Sequence, residues 1–263
     1  SVPRLDREFQ TEGTIEGGLL RVFAGRVRFT NPDGVINLQD VRIDGGDMGG
    51  PAEVHIFGNL YLRDGQLNSL TGNATGSYFL HGDTTISGDK PKGISSTVTN
   101  FGTITWNGSG PLNMSGQLIN EGTWRIHTDA RLARYIGSFE IDNRGTIIKE
   151  PDPQDPTVGS GSQVLVVEKL TNQGELILRS GSTYVQTNGQ YCNIQLCPFE
   201  QIDGGRIVLA GGNLASSKKI TINGGEIVGQ GTISADMDQF AGSWLPGSSP
   251  GQIQVNGTHT VTS

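Results

Sequence analysis

The residues able to do chemistry fall into a few small groups. His81-Gly82-Asp83 and His127-Thr128-Asp129 each put an imidazole two residues from a carboxylate, a pairing in which the acid can orient a histidine base. Asp44 and Asp47 flank two glycines, and Asp152 and Asp155 stand in a proline-rich stretch. Two carboxyl groups roughly 5–10 Å apart are what glycoside hydrolysis needs. Each group also has a plainer reading, which is the one preferred. The histidines suit exposed polar turns, Asp44 and Asp47 a structural turn, and Asp152 and Asp155 a solvated loop without the dedicated ligand spacing of a calcium site. No nucleophile elbow, phosphate loop, HExxH or EF-hand pattern occurs. The expectation is a protein that is not an enzyme and has no catalytic residue, metal or cofactor.

Three further sets carry chemistry of other kinds. Cys192 and Cys197 are expected to form a disulfide that pins a local turn, with a free pair as the alternative; metal binding is weak without nearby histidine. A disulfide implies an oxidising compartment. Acceptor sequences for N-glycosylation occur at Asn73, Asn107, Asn113 and Asn256, against a background rich enough in Asn, Ser and Thr to produce some by chance. Trp106, Trp124 and Tyr135 recur in or near successive repeats, where stacked aromatic rings serve either as core packing or as a ligand platform.

These side chains must be held by a repeated element. Asn or Asp, any residue, then Gly opens an alternating apolar run six times, at Asn100, Asn120, Asn143, Asn172, Asp203 and Asn223. The fourth position after each is large and apolar: Ile104, Trp124, Ile147, Leu176, Ile207 and Ile227. Asn and Gly tolerate the left-handed backbone of a sharp corner, and alternation turns one set of side chains inward. The steps are 20, 23, 29, 31 and 20 residues. The two long steps contain obvious insertions, around 150–162 and 186–200. Without them the period returns to about 20, as in a solenoid. Residues 1–50 are less regular and read as first coils or an N-terminal cap. The best helical candidate, Ala130–Tyr135, is too short to stand alone.

Composition narrows the rest. Glycine supplies 40 of 263 residues, aromatics are 6% and charged residues 17%. That favours many tight turns between short strands. A net charge of -7 argues against general nucleic-acid binding, which needs a basic field. No apolar run is long enough for a membrane helix, so no membrane insertion is expected.

The C-terminal region carries a resemblance. Gly224-Gly225-Glu226-Ile227-Val228-Gly229-Gln230-Gly231-Thr232-Ile233, followed by Pro246-Gly247-Ser248-Ser249-Pro250-Gly251-Gln252-Ile253, resembles units of the β-helical passenger domains of autotransporter-like, adhesin-type surface proteins. The resemblance implies an all-β, right-handed parallel β-helix of roughly ten coils and an extracellular or cell-surface location. It departs from that pattern in having no membrane barrel after it, so the chain is expected to be one β-helix domain (1–263), a fragment of a longer protein. The expected function is a non-catalytic adhesion or structural module that presents faces and loops, 150–162 and 186–200 above all, to an extracellular glycan, matrix or surface protein. The alternatives are a polysaccharide lyase or glycoside hydrolase, and a filament or coat subunit that self-associates end to end.

Overall fold

The computed structural model describes residues 8–11, 18–68, 76–187, 199–247 and 251–262. The fold is all-β, a parallel solenoid of about ten turns, with no helix among the described residues. The reason is local. In Thr103–Trp106 the side chains of Ile104 and Trp106 point inward, 4% and 0% exposed, while the two threonines face out. Four such residues cannot hold a strand alone, so each strand depends on the rungs above and below it.

The strands form three parallel columns. Sheet A contains Thr103–Trp106, Thr123–Ile126, Thr146–Lys149, Glu175–Leu178 and Arg206–Ala210. Sheet B contains Lys92–Ser95, Ser162–Val167, Ser182–Thr187 and Asn213–Ser216; sheet C contains Glu53–Ile56, Ser77–Leu80, Thr97–Asn100 and Lys169–Asn172. Longer strands, Asp40–Gly49 and Leu60–Asn68 from A to B and Leu112–Asn120 and Leu132–Asn143 from B to C, bend round the corners and join all columns into one 29-stranded sheet. The six apolar positions of the repeat stack in one column, Ile104 on Trp124, then Ile147, Leu176, Ile207 and Ile227. Around Leu60, Met114 and Trp124 the packed interior leaves a void of 10 Å³, apolar and at the lower limit for one water.

The C-to-A corner has a buried amide ladder on its inner side. Asn100 Nδ2 donates to Asn120 Oδ1 at 2.8 Å, Asn120 to Asn143 at 2.8 Å, Asn143 to Asn172 at 2.6 Å, and Asn172 to Gln201 Oε1 at 2.6 Å. Each Asn amide also donates to carbonyls of the adjoining strands, such as Gly122 and Thr146 for Asn120, which fixes the direction of the ladder. Its two ends are left unpaired: Asn100 Oδ1 and Gln201 Nε2 are buried without a partner. Leu80 and Ile222 occupy the next rungs and have nothing to offer them.

Two expectations are corrected, the left-handed backbone at four repeat glycines and the place of Asp203. Gly102, Gly122, Gly145 and Gly174 do not adopt left-handed backbone. They are glycines because the rungs approach too closely: a Cβ on Gly122 would lie 2.1 Å from the Gly102 carbonyl oxygen. Left-handed glycine occurs at other corners: at Gly46 and Gly65 between sheets A and B, and, as expected of the repeat, at Gly204 and Gly225 in the C-to-A corner of the last two copies. Asp203 is not the counterpart of Asn172. Gln201 pairs with Asn172, and Asp203 lies in a longer corner between Gln201 and Arg206. Residues 132–135 are strand, inside Leu132–Asn143. Residues 19–49 form rungs in register with those that follow, Leu19 on Asp40 and Val35 on Glu53. The 150–161 segment leaves the column between Thr146–Lys149 and Ser162–Val167. Of the 186–200 segment, 188–198 lies outside the described residues.

Replacing Asn120 by Ala removes an acceptor from Asn100 and a donor from Asn143, and is expected to cost about 2–5 kcal/mol in chemical denaturation. Gly122→Ala is expected to cost about 2 kcal/mol or more, whereas Gly18→Ala, whose new Cβ meets nothing within 4 Å, should be near neutral. Equal stability of the two glycine variants would contradict the close-approach argument.

Candidate functional site

Neither possible His–Asp pairing forms, and His127, expected in an exposed polar turn, is only 6% exposed. His127 takes Glu150 as its partner at 3.2 Å, while Asp129 accepts from Lys149 at 2.9 Å and from the Gly161 amide at 3.0 Å. His81 pairs with His55 rather than Asp83. Asp44 is held by Arg21 and Arg42, and Asp47 by Arg26. Asp152 and Asp155 cap their own loop, accepting from the Gln154 amide and from Thr157. No group of three metal-ligating side chains occurs among the described residues.

Trp106 and Trp124 are 0% and 1% exposed, and their rings stack at 6.5 Å inside the column. That corrects the ligand-platform reading for both: they are core, reached by inward alternation. Tyr135 lies on a strand of the B-to-C bend, and its side chain is outside the described residues. Of the sequons, Asn107 and Asn256 are exposed and Asn113 is half-buried on the strand Leu112–Asn120. Asn73, Cys192 and Cys197 lie outside the described residues.

A different aromatic array faces solvent at the outer side of the C-to-A corner. His55, Phe57, Phe79, His81 and Phe101 stack with centroid spacings of 4.6–5.8 Å and interplanar angles of 9–14°. Parallel register creates the array: His55 lies opposite Phe79 on the outer face, and Phe57, His81 and Phe101 follow the ends of three successive sheet C strands. Because the rings cover one another's faces, their edges form the outer rim, and Phe57 and Phe101 are 47% and 49% exposed. The sequence signal was present as His55-x-Phe57 and Phe79-x-His81, an aromatic on each side of the last inward residue of a rung. It becomes legible only once the rungs are aligned.

The two histidines extend this ridge into a relay. His55 Nε2 lies 2.7 Å from Glu53 Oε1, and His55 Nδ1 lies 2.9 Å from His81 Nε2. An ionised Glu53 only accepts, so His55 donates through Nε2, and its Nδ1 accepts from His81. Burial, then the neighbouring His55, pushes the pKa of His81 below its ordinary value.

Beside the ridge, sheet A of the first rungs carries Leu19, Arg21, Arg42 and Tyr61 outward, with Arg21 over Arg42 and Arg42 over Tyr61. Farther along, Glu150 is gripped by Arg125 at 2.6 Å, His127 at 3.2 Å and Arg179 at 2.6 Å. Burial raises the pKa of Glu150, but these three hydrogen bonds outweigh it and hold the carboxyl below its ordinary range. Lys149, 1% exposed, hydrogen-bonds the Gly159 carbonyl and so ties the 150–161 segment to the column.

No protein-family model, curated protein or solved structure matches the chain. The resemblance to autotransporter-like passengers therefore rests on its short motifs and on the solenoid itself.

The His81 environment predicts a pH dependence. A histidine whose pKa is lower folded than unfolded binds more protons unfolded, so stability falls as pH drops below about 6.5. The Tm should decline between roughly pH 6.5 and 5, and His81→Phe, which keeps the stacked ring, should flatten that slope. Identical slopes for both proteins would refute the assignment.

Proposed function

We propose that the chain is a non-catalytic extracellular module, working in adhesion or as structural support, whose contact surface is the outer side of its first rungs. The observation that carries this is the concentration of exposed apolar side chains there. Leu19, Phe23, Phe57, Tyr61 and Phe101 are all 39–49% exposed there, with Val35 on the same rungs; the other exposed large apolar side chains among the described residues are Val158 and, near the C-terminal end, Phe240, Leu245 and Val261. An apolar group of that kind on a rigid scaffold marks a contact with another molecule. The partner class is an extracellular glycan, a matrix component or a surface protein.

The carboxylates support a non-catalytic reading. Asp64, Asp142, Glu150 and Glu168 each ion-pair with a cation, as Asp44 does with Arg21 and Arg42, although Asp44 and Asp64 are register partners on adjacent rungs and line one cleft. The resolved carboxylate shifts, at Asp44, Glu150 and Asp155, are all downward, whereas a general acid needs an upward one. One feature favours a carbohydrate-active enzyme instead: the Glu53–His55–His81 relay, which could accept a proton at the remaining ring nitrogen of His81.

Binding of the purified protein to glycan arrays and matrix proteins tests the proposal. Phe57→Ser with Phe101→Ser should leave the Tm nearly unchanged and weaken binding about tenfold or more. Unchanged binding by the double variant would sink the ridge as a contact surface. Depolymerisation of a polysaccharide, lost in His81→Phe, would replace the proposal with the enzymatic reading.

A further inference from the structure

The A-to-B corner of the first four rungs encloses a cleft of 290 Å³. Three of its corners are short, because Gly25, Gly46 and Gly65 take left-handed backbone with φ of 77°, 86° and 90°. The fourth corner, residues 87–91, is longer, and its Gly88, Asp89 and Lys90 line the same cleft as Arg21 and Phe23 from three rungs earlier.

Four cations converge there: Arg21, Arg42, Arg63 and Lys90. Asp44 lies beneath two of them. Its side chain is 12% exposed, against 33% for Arg21 and 39% for Arg42. It takes Nε and one terminal nitrogen of Arg21, and only Nε of Arg42. Burial raises the pKa of Asp44, but the Arg42 and Arg21 hydrogen bonds prevail and keep it ionised. The half-buried carboxylate therefore orients two guanidinium forks and leaves N–H groups of both directed to other partners. Lys90 reaches Asp64 at 2.9 Å, and Arg63 has no ion-pair partner among the described residues. Four cations against Asp44, Asp64 and Asp89 make the lining net positive on a chain of net charge -7. The Arg21 guanidinium rests 3.7 Å from the centroid of the Phe23 ring, and Tyr61, 43% exposed, adjoins Arg42.

We infer that this cleft binds the anionic group of an acidic glycan, a uronate carboxylate or a sulfate ester, with Arg42 and Arg63 as the principal contacts. Guanidinium forks match planar and tetrahedral oxyanions with paired N–H donors. The aromatic side chains beside them offer apolar surface to a sugar ring, so the site suits a charged saccharide better than a free ion. The inference rests on the proposed extracellular binding role and names the ligand class for the second part of that surface.

Calorimetric titration of the full chain with trigalacturonate and its methyl ester, and with a sulfated disaccharide and its desulfated form, tests it and tells the two oxyanion sources apart. At least one acidic form should bind, its neutral counterpart about tenfold or more weakly, and the affinity should fall from about 0.15 to about 0.5 M salt. Arg63→Gln, on an exposed side chain, should keep the Tm and weaken binding about tenfold; Lys90→Gln should also weaken it. The inference is overturned by equal binding of neutral and acidic forms, by unchanged affinity in folded Arg63→Gln, by absence of any acidic-saccharide binding, or by hexaglutamate binding as tightly. If the cleft fails while ridge-dependent binding on the array survives, the extracellular module stands without it. If both fail, the broader reading fails too.

Discussion

Parallel pairing in fixed register is the constraint on which everything else depends. Each rung satisfies its backbone through its neighbours, and strands in a sheet lie about 4.8 Å apart. Every side chain is therefore forced over its counterpart in the next rung. Whatever occupies a position must tolerate a near-copy of itself, or a complement, at that spacing. Amides do so by donating to one neighbour and accepting from the other, which gives the ladder from Asn100 to Gln201. Aromatic rings do so by stacking, inside as Trp106 on Trp124 and outside as His55, Phe79 and His81. Charges do so either by alternating in sign, as Glu175, Arg206 and Glu226 on the outer face of sheet A, or by sharing a counter-ion, as Arg21 and Arg42 share Asp44.

The same constraint explains what the sequence disclosed. The solenoid was legible because the buried Asn and the inward apolar residues recur at nearly constant steps, and stacking demands that recurrence. The role of Gly102, Gly122, Gly145 and Gly174 was misread, while Gly204 and Gly225 do take left-handed backbone, because composition does not say whether a glycine answers a torsional need or a lack of space. At Gly122 it is space. In the last two repeats the apolar positions were aligned but the opening polar residue was not, because Asp203 imitates the motif while Gln201, with one more methylene, completes the ladder.

The candidate site was less legible for a related reason. The tryptophans drew attention through their size, yet alternation sends them inward. The exposed array uses Phe and His from both sides of a rung end, and the cleft draws Arg21, Arg42, Arg63 and Lys90 from four rungs about twenty residues apart. No local pattern unites such residues; only the register does. The imidazoles were noticed, but with the wrong partners, because residues two apart in sequence are less intimate here than residues one rung apart.

The three corners of the column are not equal in freedom. Between Asn100 and Asn172 the C-to-A corner is always a pair of residues, ending in Gly102, Gly122, Gly145 or Gly174, since amide spacing and backbone crowding leave room for nothing else. The A-to-B corner ranges from a continuous bent strand in Asp40–Gly49 and Leu60–Asn68, through two residues between Ala210 and Asn213, to the twelve that separate Lys149 from Ser162. Divergence in such a molecule is channelled: one edge keeps time while the others can lengthen. A graft of foreign loops for display would be accepted at positions such as 150–161 and rejected at the glycine edge, so the protein carries its own map of where new sequence can be added.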